Sequence, residues 1–149
     1  MASGGRELSE NSDLNDDVGF RLRLAYAAVM GRFAEALRPF DLRPSLYAAL
    51  VIIEANPGRK QHEVGDALGV ATSNLGVLMS TLAKRGLVAR ERVPGDIRSY
   101  SLVLTAAGVA LLNEARAAQA QAIAEIDALI GDRRELFASV LADLANLNA

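Results

Sequence analysis

Apolar positions recur at helical spacing over most of the chain and change period once. From Leu14 to about Phe40, Val18, Leu22, Ala25, Val29, Phe33, Ala36 and Phe40 follow one another by three and four residues. That is one stripe of a long amphipathic helix, with Pro39 marking its end. Pro44 suits the first turn of a second helix, and "SLYAALVIIEAN" is apolar nearly all round until Asn56-Pro57-Gly58 stops it, so this helix is expected in the middle of the domain. Near the C-terminus Leu111, Ala115, Ala118, Ala122, Ile126 and Leu129 form another stripe. Asp132 with Glu135 then reads as a capping box opening a last helix that carries Leu136, Val140, Leu144 and Leu147. The period switches to two after Pro94-Gly95-Asp96, where Tyr100, Leu102 and Leu104 alternate with Ser99, Ser101 and Val103. With Arg92 and Val93 before the turn, this predicts a short hairpin. Two strands alone are marginal in water, so the hairpin must lean on a domain and hold its charged tip outward.

The stretch "RKQHEVGDALGVATSNLGVLMSTLAKRG" places Val64 and Leu68, then Leu75, Leu78 and Leu82, at helical spacing on either side of Gly69-Val70. Gly65 and Gly69 permit a close crossing, and Val70 caps the shared core. The pattern is that of a helix-turn-helix. Taken alone it also fits an ordinary helical corner. The hairpin that follows at once, after "LVARER", gives the order of a winged helix and favours the first reading.

The 51% hydrophobic content, much of it alanine and leucine, adds to a mostly helical expectation, and 149 residues suffice for one core. No apolar run is long enough to span a membrane. "MASGGRELSENSDLNDD" has no apolar signal region, so residues 1–13 read as a flexible tail on a cytoplasmic protein. The absence of cysteine removes disulfides, thiolate nucleophiles and thiol-oxidation switches, and one histidine, His62, removes most zinc and hydrolytic chemistry. Neither an enzyme, nor a metal, nor a cofactor is expected. The net charge of -2 argues against a nucleic-acid partner until its distribution is considered. From Pro57 to Leu104 seven basic residues face four acidic ones, a balance of +3, whereas the flanks carry -5.

"LGV" before the second motif helix, "LAKRGLVAR" after it, and "DIRSYSLVLTAAG" in the hairpin resemble the MarR family of transcription regulators. The resemblance covers roughly Leu14 to Leu147. It implies a mostly α fold with a small β-wing: a winged helix-turn-helix DNA-binding domain over 43–104 and a helical dimerisation region over 14–42 and 105–149. It further implies a homodimeric repressor of a palindromic operator, released by a small aromatic or acyl-type effector. The recognition helix becomes Thr72 to Arg85. Thr72, Ser73 and Asn74 in its first turn would reach base edges or phosphates, and Asn74 could bond an adenine edge twice. Val77 and Lys84 lie on its exposed face with Ser73, Gly76 and Ser80. Arg98 matches the family's wing-tip arginine, Asp96 the carboxylate that orients it, Ser99 the following serine, and Arg90 a basic position suited to phosphate. Arg59 and Lys60 stand where the first motif helix begins; cations there oppose the helix dipole, which makes sense if phosphate comes close.

Two departures affect the operator. Val77 stands where relatives often carry a basic residue, and Ser80 and Thr81 stand where they carry an Asp-Arg pair. For the effector, the family's pocket between dimer helices and winged domain points to Arg21, Arg23, Tyr26, Met30, Phe33 and Tyr47, with an arginine beside Tyr26 and Phe33 suiting an aromatic carboxylate or its thioester. The same residues also fit plain core. A winged-helix protein-interaction module without specific DNA binding is the alternative, supported by Val77, Ser80, Thr81 and the acidic total charge.

Overall fold

A computed structural model describes residues 13–147, apart from the side chains of Asp13 and Asn15; the tail expected over residues 1–13 therefore lies outside the described residues except for the backbone of Asp13. Nine regular elements follow in order: α1 (Val18–Leu37), α2 (Pro44–Ala55), β1 (Arg59–Lys60), α3 (Gln61–Leu68), α4 (Thr72–Lys84), β2 (Val88–Val93), β3 (Asp96–Leu104), α5 (Ala106–Ile130) and α6 (Arg134–Ala145).

The first helix is shorter than its apolar stripe. Asp17 caps it, accepting the Phe20 N–H at 2.6 Å, and a separate 3-10 turn precedes it at Asp13–Asp16. A second 3-10 turn over Arg38–Phe40, with proline at its first turn, ends the run where Pro39 cannot continue an α-helix. At the other end the expected capping box does not form. A 3-10 turn at Gly131–Arg133 leads into α6, whose N-cap is Arg133 with no side-chain bond. Gly131 takes a φ of 61°, so the chain turns before Asp132 can act as a cap.

The core is centred on α2, as its all-round apolar sequence requires: Leu46, Ala49, Leu50 and Ile53 are buried there. Val64 from α3, Leu75, Met79 and Leu82 from α4, Leu87, Val88 and Leu102 around the sheet, and Leu112 and Ala115 from α5 complete one cluster with Leu37 and Leu42. Gly65 makes the α3/α4 crossing possible, since a Cβ there would lie 2.4 Å from Leu75 Cδ2. Gly69 ends α3 in the left-handed region at φ 64°.

The wing is a three-stranded antiparallel sheet in the order β1-β3-β2. Val88 pairs with Leu104 and Arg92 with Tyr100, and a bulge falls between Arg92 and Val93. Pro94 and Gly95, the latter at φ 81°, turn the chain as a type II turn, and the bulge absorbs its mismatch with the strand twist. The third strand carries no period-2 signal of its own: Arg59 and Lys60 pair with Leu102 and Ser101.

On α5 the buried residues are Gly108, Leu112, Ala115, Gln119 and Ala122, whereas Leu111, Ala118 and Ile126 are only half-buried. Gln119 is 4% exposed and its Oε1 meets no donor. Arg32 joins α1 to α5 through Glu125, which raises the arginine's pKa further, and Arg116 joins α5 to Glu54 of α2. Among the described residues, nothing covers the apolar residues of α6 and the ends of α1 and α5, with Leu129 at 79% and Val18 at 72% exposure.

Candidate nucleic-acid interface

Helix α4 begins without a side-chain cap, because Ala71 occupies the N-cap position. Threonine or serine is strongly preferred there, and both occur one and two residues later instead. The consequence is a polar first turn in which Thr72, Ser73 and Asn74 are exposed and, among the described residues, their side chains have no partner. A helix N-terminus with unsatisfied N–H groups favours an anion, and short polar side chains around it suit base edges. Farther along, Val77 is 67% exposed, Lys84 is exposed, and Gly76 and Ser80 are half-buried; Thr81 Oγ1 donates back to the Val77 carbonyl. A Cβ on Gly76 would meet nothing within 4 Å. Gly76→Ala is therefore expected to stabilise the fold by about 0.5–1 kcal/mol, read from the urea midpoint.

The wing tip is built around Asp96. Its carboxylate accepts the Ser99 hydroxyl at 2.6 Å and the Arg98 main-chain N–H at 3.1 Å, and pairs with Lys60 Nζ at 3.5 Å. The Ser99 bond first, then the Arg98 N–H, and finally Lys60 hold its pKa below the ordinary carboxylate value. The charged, tip-ordering form is thus present at neutral pH and is lost only as pH falls through that lowered pKa. The expected role for Asp96 was to orient the Arg98 side chain. The structure shows it bound to the Arg98 backbone, while the guanidinium itself is exposed and without a partner among the described residues.

The remaining candidate cations divide. Arg59 pairs with Glu63 at 3.2 Å, and Glu63 also accepts the Lys60 N–H at 2.8 Å, which, with Arg59 second, lowers the Glu63 pKa. Lys60 is the N-cap residue of α3 and ties it to the wing through Asp96. Arg90 is half-buried, donates to Gln61 Oε1 at 2.9 Å and lies 5.7 Å from the Tyr100 ring. Arg92 lies 5.6 Å from the same ring and donates to the Ile97 carbonyl, so the tyrosine has two guanidiniums within cation–π distance. Ser99 is half-buried and bonded to Asp96. The exposed, unpaired set is therefore Thr72, Ser73, Asn74, Val77, Lys84 and Arg98.

The effector candidates are not one cluster. At 100° per residue Arg23, Tyr26, Met30 and Phe33 share one side of α1, and Arg21 lies on the other, within 3.5 Å of Asp16. Arg23 stacks on Phe20 at 5.0 Å, Tyr26 is exposed, and Met30 and Phe33 are half-buried. Tyr47, on α2, touches Arg116, a residue that sequence reading did not single out. No group of three or more potential metal ligands occurs among the described residues.

Residues 40–99 match the MarR family model. A relative from Thauera aromatica, named as a transcriptional regulatory protein for the hcr operon, is 30% identical over 142 residues, covering 89% of this chain and 79% of its own. Among solved structures, the transcriptional repressor CouR bound to a 23-mer DNA duplex is 34% identical, with a TM-score of 0.86 over 92% of this chain and 99% of that one. CouR from Rhodococcus jostii RHA1, bound to p-coumaroyl-CoA, is 27% identical with a TM-score of 0.78, covering 93% and 99%. With its winged helix, its relatives and its matching family segment, the chain belongs to the MarR family, a transcriptional regulator and not an enzyme.

Proposed function

We propose that the protein is a homodimeric repressor that occupies a palindromic operator and leaves it when a small aromatic acyl ligand, or its thioester, binds. The observation that carries the reading is the pairing of two features: an uncapped, polar first turn on α4 and a wing tip whose Arg98 side chain is exposed and uncommitted. In this reading α4 enters the major groove with Thr72, Ser73 and Asn74 at base edges or phosphates, Val77 against a thymine methyl and Lys84 toward the backbone, while Arg98 enters the minor groove. Arg59, with one carboxylate partner, serves as a peripheral phosphate contact. Lys60, Arg90, Asp96 and Ser99 hold the wing and α3 in register for it.

Dimerisation is supported by the uncovered apolar faces. Leu129, Ile130, Leu136, Phe137 and Val140, with Arg133 among them, line a groove of about 380 Å³ on α5 and α6, and such a mostly apolar surface on a small domain calls for a partner. Residues 14–42 and 105–149 then form the dimerisation region and 43–104 the winged domain. CouR, a relative that binds p-coumaroyl-CoA, supports an acyl thioester as effector. Arg23, Tyr26, Met30 and Phe33, on one side of α1, with Tyr47 beside Arg116, supply the aromatic and cationic groups such a ligand needs. Arg21, on the opposite side of α1 and paired with Asp16, is left out of this ligand set. A regulator acting on DNA in this way works in the cytoplasm. The exposed Val77 also suits a protein-interaction module, which would bind duplex weakly and without base preference.

Light scattering of the full chain at micromolar concentration is expected to give twice the chain mass, and p-coumaroyl-CoA is expected to weaken operator binding by about tenfold. A monomer that retains full DNA affinity at saturating thioester would contradict the reading.

A further inference from the structure

Arg85 takes no part in the interface described above, yet it makes the only side-chain hydrogen bonds from the α4 segment to another element among the described residues. Its Nη1 donates to the Asp41 carbonyl at 2.6 Å and its Nη2 to the Phe40 carbonyl at 2.9 Å. Both acceptors belong to the end of the first helical run. There Asp41 adopts a left-handed conformation at φ 51°, the Asp41 N–H bonds the Arg38 carbonyl, and the Leu42 N–H bonds the Leu37 carbonyl. This is a Schellman closure, and its apolar clasp is the buried pair Leu37 and Leu42. A helix C-terminus presents carbonyls without intrahelical donors at the negative end of its dipole. Arg85 supplies two donors and a positive charge, and it is itself the C-cap residue of α4. The C-cap residue of one helix therefore also caps the 3-10 turn that ends the first helical run, 44 positions earlier in the chain.

Leu75, Met79 and Leu82 seat the rest of α4 in the core. Their contacts are apolar and include no directional hydrogen bond. A guanidinium bound to two carbonyls fixes direction as well as distance. We propose that Arg85 is a positioning residue that locks the angle between α4 and α1, and thereby sets the separation of the two recognition helices in the dimer. The inference rests on the DNA-binding dimer reading above. Half-site spacing on a duplex mirrors the separation of the two recognition helices, so the lock is read out as selectivity for spacer length.

The test uses the full chain and a pool of duplexes carrying two half-sites selected by the wild type, with the spacer varied one base pair at a time. Wild type is expected to prefer one spacer by about tenfold over its neighbours. Arg85→Gln is expected to flatten that preference to about twofold while keeping the base preference within each half-site and the salt slope of binding. Arg85→Lys, which keeps the charge but cannot span both carbonyls, should fall between the two and serves if the glutamine variant is poorly folded. A variant pair that selects the wild-type spacer as sharply as wild type overturns the proposal. So does a salt slope reduced by about one, the mark of a lost phosphate contact. A wild type that selects no duplex at all overturns the functional reading, and this inference with it.

Discussion

Gly108→Ala is expected to be the most damaging of the glycine-to-alanine changes among the described residues. A Cβ at Gly108 would lie 2.1 Å from the Leu87 carbonyl oxygen and 3.0 Å from its carbon, and both are backbone atoms that cannot turn aside. The surroundings hold that carbonyl in place. Thr105, the N-cap of α5, donates its N–H to the Leu87 oxygen at 3.1 Å, donates its hydroxyl to the Gly86 carbonyl at 2.6 Å and accepts the Gly108 N–H at 3.0 Å. Alanine must therefore push α5 off the base of the wing and break bonds that tie the two parts together. The expected loss is about 3 kcal/mol, the upper range for overpacking, and a fall in Tm of about 10 °C for a domain of this size. Thermal unfolding followed by circular dichroism at fixed protein concentration checks it. An unchanged Tm would mean that α5 does not sit this close to Leu87.

Arg98→Ala is expected to have the largest effect on DNA binding with little effect on stability. The guanidinium has no partner among the described residues, so its removal costs the fold little; surface positions of this kind change stability by about 0.5 kcal/mol or less. Its backbone is fixed by Asp96, which aims the side chain outward before any duplex arrives. An arginine pre-placed for a narrow minor groove meets a strongly negative potential there. Loss of the contact is expected to weaken operator binding by about 10- to 100-fold, and to lower the dependence of log K on log salt by about one if it also reaches a phosphate. Ser99→Ala should weaken binding less than Arg98→Ala, because it leaves the Arg98 N–H bond and Lys60 on Asp96. Titration of labelled duplex by fluorescence anisotropy separates the cases, and equal affinity for wild type and Arg98→Ala would remove the wing tip from the interface.

Much of the architecture was legible because it is local. Periodicity located α2 through its continuous apolar run, α3 and α4 through Val64, Leu68, Leu75, Leu78 and Leu82, and the hairpin through Pro94-Gly95 and the alternation from Ser99 to Leu104. What could not be read depends on partners far off in sequence. β1 is two residues long and exists only because Leu102 and Ser101 pair with it. Gln119 interrupts the apolar pattern of α5, so the stripe reads through Leu111 and Ala118 where Leu112 and Gln119 are the buried residues, while Ala115 and Ala122 are buried as the spacing predicts. Asp132 and Glu135 have the spacing of a capping box, but the 3-10 turn at Gly131–Arg133 shifts the helix start past Asp132. For the candidate site, residue type and motif indicated which side chains belong to α4 and the wing. They could not indicate that Arg90 turns inward to Gln61, that Asp96 holds the Arg98 backbone rather than its side chain, or that Arg85 caps the 3-10 turn that follows α1.

Sequence-specific duplex binding is read most plainly by titrating the full chain against DNA from immediately upstream of its own coding sequence, between about 50 and 200 mM salt. Binding is expected to be tight, to exceed affinity for scrambled duplex by about a thousandfold or more, and to weaken steeply as salt rises. Binding that is absent both to that DNA and to a random-sequence pool, or equal for specific and scrambled duplex, would contradict the proposed function.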